Sequence, residues 1–189
     1  MLKNLVTKNR SYRRFNESKT ISEQTLTELV ELARLSASGR NLQPLKYLLS
    51  ADKKINEIIF PHLAWAGSIK DWDGPIVGER PSAYLIQLGD LRLTKNFGQD
   101  PGITAQSILL GAVEKGLGGC MIGSIKKQDL HAALKLPDHF EITMVIALGE
   151  PVEKVVIDPI KNDDVKYWRD KDAVHHVPKR SLDDLIVNP

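Results

Sequence analysis

Asn9 to Phe15, Asn-Arg-Ser-Tyr-Arg-Arg-Phe, is the densest basic stretch of the chain. Arg10, Arg13 and Arg14 fall within five residues, with Ser11 between them. Guanidinium forks and a hydroxyl can all donate to phosphate oxygens, so the stretch reads as an anion seat or, alternatively, as a solvated loop. Lys179-Arg180 offers a second phosphate seat, far from the first in sequence. The loop from Ser36 to Pro44 (Ser-Ala-Ser-Gly-Arg-Asn-Leu-Gln-Pro) combines small residues, which permit close approach, with hydroxyl and amide groups. It would serve equally as an ordinary helix-to-strand connection. Gly116, Gly118 and Gly119 precede Cys120-Met121-Ile122-Gly123-Ser124-Ile125, where the backbone can approach something flat or bulky. A core helix with a glycine stop would look the same.

Several chemistries are excluded. A dinucleotide fingerprint needs a strand before its glycines and a helix after them, and here a long helix comes first. No phosphate-loop Lys-Ser ending and no Gly-x-Ser-x-Gly elbow is present. Cys120, the one cysteine, sits in an apolar run that suggests an inert buried thiol. His175 and His176 are adjacent, so on extended chain they point opposite ways, and no carboxylate cluster accompanies them. No metal site is expected, and no side chain stands out as catalytic. Two basic seats and two ring-approaching loops, with little nucleophilic chemistry, suit a cofactor that performs the reaction itself.

The elements that must position these residues follow from periodicity and punctuation. Leu2, Leu5 and Val6 suggest a short helix ending near Asn9. Ser22 reads as the cap of a helix to about Ser36, with Leu26, Leu29, Val30 and Ala33 on one face. Lys46 to Ser50 looks like a strand, Ile55 to Phe60 a short helix, and Ser82 to Leu88 a buried strand. Trp65 and Trp72 lie in a broken region where they line a pocket or, more commonly, anchor a loop. Asp100, read as a cap, and Pro101 open a helix through Leu117 that is apolar on nearly every face, hence buried between layers or chains. A helix from Lys127 to Leu134 and a strand from Ile142 to Leu148 follow, then a polar tail from Asp164. About four strands interleaved with helices imply a mixed α+β arrangement.

The totals fit that picture. A chain of 189 residues, 42% hydrophobic and 26% charged, is expected to form one soluble domain over 1–189. A net charge of +2 implies no nucleic-acid surface. No apolar run suggests a signal peptide or a membrane span, so a cytoplasmic protein is expected.

Four stretches together resemble one family. Asn9 to Phe15 resembles the Arg-Arg-Ser-x-Arg-x-Phe opening of the FMN-dependent nitroreductases. Ala37 to Leu45 is similar to their Pro-Ser-x-x-Asn-x-Gln-Pro-Trp loop. Asp100 to Ile125 resembles their central helix with Gly-Leu-Gly-x-x-x-x-Gly, and Lys179-Arg180 falls where their C-terminal basic pair lies. The resemblance implies a mixed sheet flanked by helices, in a homodimer with a buried central helix and FMN at the interface. It implies NADH or NADPH as donor and a ping-pong reduction of a small-molecule acceptor such as a nitroaromatic, quinone or flavin. A non-catalytic flavin store or sensor, and reductive dehalogenation or flavin fragmentation, are the alternatives on this scaffold.

Carried across residue by residue, Arg10 and Ser11 would contact the FMN phosphate and ribityl chain, joined by Lys179 and Arg180. Arg13 would reach the N1 and O2 side, where a cation stabilises the charge of reduced flavin. Ser38, Gly39 and Asn41 would come from the other subunit. Met121 and Ile122 would back the ring, with the Gly123 N–H near N5. The chain departs from the pattern at Asn9, Ala37, Leu45 and Gly123, which bears on the phosphate seat, the loop and the electrostatics beside N5.

Overall fold

Every residue of Ala83–Asp90 (β2) is buried, as befits an apolar run covered on both sides. The computed structural model describes residues 1–187. In it, β2 lies between Leu45–Ser50 (β1) and Phe140–Gly149 (β4), and Gly118–Ile122 (β3) pairs with the far side of β4. All three pairings are antiparallel.

Two cores result, one on each face of this sheet. On the first, Glu23–Arg34 (α2) and Asp100–Glu114 (α4) bring Leu26, Leu29, Ile108 and Leu109 onto Leu85, Ile146 and Leu148. On the second, Lys53–Ile59 (α3) and Lys127–Ala133 (α5) supply Ile59 and Leu130 against Tyr84, Ile86, Ile122 and Val145. Trp65 is buried in this second core, so it anchors the long loop between α3 and β2. The remaining helix, Leu2–Lys8 (α1), buries none of its residues.

Local chemistry sets the helix positions. The Ser22 hydroxyl accepts the Thr25 N–H at 3.1 Å, the cap expected of it. Asp100 is not a cap: Gln99 occupies that position, and Asp100 is the first helical residue with its carboxylate turned elsewhere. Gln87, fully buried on β2, ties α4 down. Its amide nitrogen donates to Thr104 Oγ1 at 2.9 Å and to the Pro101 carbonyl at 3.2 Å, while its amide oxygen accepts from Thr143 at 2.7 Å. Within this chain α4 is covered on one side only. Ile103 is exposed and Leu110 and Val113 are half-buried, so the all-round apolar character seen in sequence is not used up internally.

The tail holds more structure than its polarity suggests. Val155–Pro159 (β5), Trp168–Arg169 (β6) and His175–Lys179 (β7) form a second sheet in the order β5-β7-β6, with β5 and β7 parallel. These strands are short, and Pro159 and Pro178 lie inside them, which masks any strand pattern.

One close approach fixes the first basic stretch. Gly119 lies so near its neighbours that a Cβ would sit 2.5 Å from the Ala147 carbonyl oxygen and 2.6 Å from Leu109. Its own carbonyl accepts the Tyr12 N–H at 3.0 Å, and Ser11 pairs beside it in a parallel bridge. Gly119→Ala should therefore lower stability by roughly 1–3 kcal/mol through overpacking. Gly123→Ala, where a Cβ meets nothing within 4 Å, should stay within about 0.5 kcal/mol. Urea midpoints of the two variants check this, and equal midpoints would refute it.

Candidate functional site

The chain leaves α1 at Asn9, which is buried. The Asn9 backbone N–H donates to the Leu5 carbonyl at 2.8 Å, and its side-chain amide reaches Gln106 on α4 at 3.4 Å. Beyond it, residues 11–16 run extended between the edge of β3 and the segment after β4. Phe15 is fully buried there, paired across from Pro151.

This path opens a cavity of about 270 Å³ with walls from five parts of the chain. Arg10, Ser11 and Arg13 form one wall. Gln106 and Leu109 of α4 and Met121 of β3 form the floor. Tyr167 and, from β7, His175, Val177 and Lys179 close the other side. The alternation of β7 puts residues 175, 177 and 179 on this face. Among the described residues, no carboxylate lines the cavity. The structure thus brings together Arg10, Ser11, Arg13, Met121 and Lys179, residues scattered over the sequence.

A single carboxylate sits behind the wall. The Glu153 side chain is completely buried; one oxygen accepts the backbone N–H of Arg13 and, at 3.2 Å, that of Arg14. Its other oxygen accepts from the Arg169 guanidinium at 2.9 Å. Burial alone would push this carboxyl up, but the neighbouring His175, the Arg13 N–H and the Arg169 charge together hold it below its ordinary value. Arg13 lies 5.0 Å over the Tyr167 ring, and Tyr167 in turn lies 5.3 Å from His175. His175 is buried with Nδ1 3.8 Å from Glu153 Oε2, and among the described residues neither of its ring nitrogens nor Arg10 Nε has a hydrogen-bond partner. Burial pushes the Cys120 thiol up, with Arg13 pulling the other way, so this sulfur is poorly suited to nucleophilic work.

The loop carrying Ser38, Gly39 and Asn41 lies elsewhere. Asp100 holds it: one carboxylate oxygen accepts the Ser38 hydroxyl at 2.6 Å, the other the Gly39 N–H at 2.8 Å. The Ser38 Oγ also accepts the Gln43 N–H at 2.9 Å. Arg40, Asn41 and Gln43 all adopt positive φ, a conformation that this clamp helps to maintain. Asp100 and Gln106 stand six residues apart on α4, about 9 Å along the axis and about 240° around it. The loop and the basic cavity therefore occupy different sides of one helix. A separate cavity of about 360 Å³ beside the loop is lined by Ser38, Tyr47, Asp100 and Thr104.

Three expected site residues face away from the basic cavity. The Ile122 side chain is buried in the second core, because strand alternation turns only Met121 toward the cavity. Gly123 is exposed beyond the end of β3. Arg180 is exposed and donates to Asp163 at 2.8 Å, the opposite face of the chain from Lys179. Conversely, Tyr167 and His175 line the cavity, although the sequence offers Tyr167 no role and weighs His175 only as a metal ligand. The signal available was the period-two spacing of His175, Val177 and Lys179. His176, on the other face, lies between Asp158 at 2.6 Å and Asp170 at 3.2 Å, and these carboxylates raise its pKa, Asp170 most.

A family model, that of the nitroreductase family, matches residues 6–150. Among solved structures, a nitroreductase family protein from Clostridium novyi NT is similar over 99% of both chains, with 18% identity and a TM-score of 0.67. An FMN-dependent nitroreductase from Clostridium difficile R20291 matches 86% of this chain and 92% of its own, with 19% identity and a TM-score of 0.64. A nitroreductase-type protein from Exiguobacterium sibiricum 255-15, solved in complex with FMN, matches 81% and 89%, with 18% identity and a TM-score of 0.68.

Because the Glu153 carboxyl is held low in the folded chain, its contribution to stability is complete above its ordinary value of 4.5 and is lost as the pH falls through the lower folded value. Glu153→Ala should cost about 3–5 kcal/mol at neutral pH, since it leaves Arg169 and two N–H groups unpaired. The variant should also lose less stability than the wild type between pH 5 and 3 (about that window). Denaturant titrations at both pH values test this; parallel losses would assign the acid sensitivity to other groups.

Proposed function

The chain belongs to the nitroreductase family, and from that premise we propose that it is an FMN-dependent oxidoreductase. Its electrons would come from NADH or NADPH and pass to a small oxidised acceptor, a nitroaromatic, quinone or flavin, in two half-reactions. The observation that carries the reading is the basic cavity, where Arg10, Arg13 and Lys179 converge with no acidic lining residue.

The residues present suit an elongated anion with a polar, flat end. Arg10 retains a buried Nε without a partner, although another of its nitrogens donates to the Val6 carbonyl at 2.8 Å. Arg10, Ser11 and Lys179 would hold the phosphate and the chain that joins it to the ring. Met121 and Leu109 offer apolar surface to a ring face. FMN, when bound, supplies the two-electron chemistry that these side chains lack. Arg13, placed by the Glu153 contact to its own backbone, would set a positive charge beside the ring and favour its more negative state.

The loop held by Asp100 would complete the site of a second copy. Within one chain it stands on another side of α4 from the basic cavity, while exposed Ile103, Leu2 and Val6 leave apolar surface beside α4 and α1. A homodimer covers that surface and carries Ser38, Gly39 and Asn41 to the partner's cavity.

The purified protein should show a flavin absorption spectrum after reconstitution and be bleached anaerobically by NADH, NADPH or both. Retention of FMN without bleaching by either donor would favour a flavin store or sensor instead. Arg10→Ala should weaken FMN binding by roughly ten- to a hundred-fold, as expected for one charge-assisted hydrogen bond of about 1.5–3 kcal/mol. Lys127→Ala, which removes a cation of α5 that lies 3.9 Å from Glu141 of β4, should leave it unchanged. Equal dissociation constants in the two variants would remove Arg10 from the site. Light scattering should give a dimer, and a monomer with full FMN affinity at nanomolar concentration would sink the shared-site arrangement.

A further inference from the structure

On the outer face of the C-terminal sheet, one imidazole meets a carboxylate at each of its nitrogens. His176 Nδ1 lies 2.6 Å from Asp158 Oδ2 of β5, and Nε2 lies 3.2 Å from Asp170 Oδ2, just after β6. Ionised carboxylates only accept, so both contacts are hydrogen bonds only when the ring carries two protons and a positive charge. A neutral ring keeps one of them and turns a lone pair toward the other carboxylate. The Trp168 indole of β6 lies flat on the same ring, with centroids 4.8 Å apart and planes 5° from parallel. Asp170 is itself held in place, since its Oδ1 accepts the backbone N–H groups of Asp172 and Val174, each at 2.9 Å.

The main chain holds this sheet lightly. β6 pairs with β7 at two positions only, and β5 pairs with β7 at five. Alternation along β7 puts His175, Val177 and Lys179 on the opposite face, against the basic cavity. We propose that His176 is a pH-sensitive clasp: protonated, it fastens β5, β6 and β7 together and so steadies the cavity wall that carries Lys179; neutral, it loosens β7. Its premise is the geometry of the sheet, whatever ligand fills the cavity. Besides Asp158, the charged groups of the outer cavity of about 680 Å³ beside the ring are Lys161, Asp164 and Lys166. Asp164 favours protonation and the two lysines oppose it, but all three are exposed and screened. The hydrogen bonds to Asp170 and Asp158 raise the pKa of His176 above its ordinary 6.5. The clasp's contribution is therefore complete below that ordinary value and is lost as the pH rises through the folded one. Arg169, bound to Glu153 and stacked over Trp72, keeps β6 attached throughout, so the clasp governs β7 relative to that anchor.

The test follows the His176 ring by ¹⁵N NMR, and the amides of His175–Lys179 by hydrogen exchange corrected for intrinsic rates, from about pH 6 to about pH 9. In the wild type both ring nitrogens should be protonated near the lower end, with a midpoint above the ordinary value. Protection should fall by roughly three- to ten-fold across that titration, the scale of two part-exposed ion pairs. His176→Gln, uncharged throughout, should show low protection with no step. Asp158→Asn keeps the ring and a hydrogen-bonding oxygen but removes one charge, so it should lower the midpoint and move the step with it. A ring already neutral near the lower end, wild-type protection that stays flat, or the same step in His176→Gln would overturn the clasp. If His176→Gln does not fold, Asp158→Asn decides alone, and an unchanged midpoint overturns the proposal. None of these measurements involves a flavin, so the FMN reading stands or falls separately.

Discussion

The buried carboxylate of Glu153 is the interaction on which the cavity depends. It accepts from the backbone of Arg13 and Arg14 near one end of the chain and from Arg169 near the other. A buried charge is tolerable only when fully paired, so its partners must be present together or the site does not form. The N-terminal basic stretch and the C-terminal sheet are consequently held to each other rather than merely adjacent. Arg169 adds a second tether by stacking over Trp72 at 4.2 Å, which draws in the long loop before β2. The same carboxylate leaves the guanidinium of Arg13 free to face Tyr167, because it binds Arg13 through the main chain.

Helix α4 is the second constraint, and it acts as a divider. Gln87 pins its first turn to the sheet, Asp100 holds the 38–43 loop at that end, and Gln106 and Leu109 reach the basic cavity one to two turns later. Two regions with chemical potential are therefore placed on different sides of one rigid rod. A rod of this kind transmits position well, since its side chains are interlocked with α2 and the sheet. Its uncovered residues, Ile103 above all, leave apolar surface exposed along one side of the rod.

Much of this was legible in the sequence, and the exceptions have physical causes. The apolar strands and amphipathic helices declared themselves by period, and Ser22 by its place before α2. Asp100 looked like a cap because caps are local, but its partners Ser38 and Gly39 lie more than 60 positions away. The resemblance carries Ile122 and Arg180 across with their neighbours, but extended chain alternates, and of these pairs Met121 and Lys179 line the cavity. Glu153 and Tyr167 carry no signal of their own, and His175 only the period-two spacing it shares with Val177 and Lys179. Their roles come from burial and from distant partners, which a linear reading does not supply.

The family match ends at residue 150, yet Tyr167, His175 and Lys179 line the cavity beyond it. The part of the chain that matches the family supplies α4, the four-stranded sheet and the first basic stretch. The wall contributed by the small C-terminal sheet is attached to that frame through Glu153 and Arg169. Its residues differ in kind from the guanidinium wall opposite: an imidazole without partners, a phenol ring and one ammonium. Arginines bind any phosphate well, so they confer affinity with little discrimination. The last strand therefore differs from the basic stretch both in the chemistry of its side chains and in lying outside the family match.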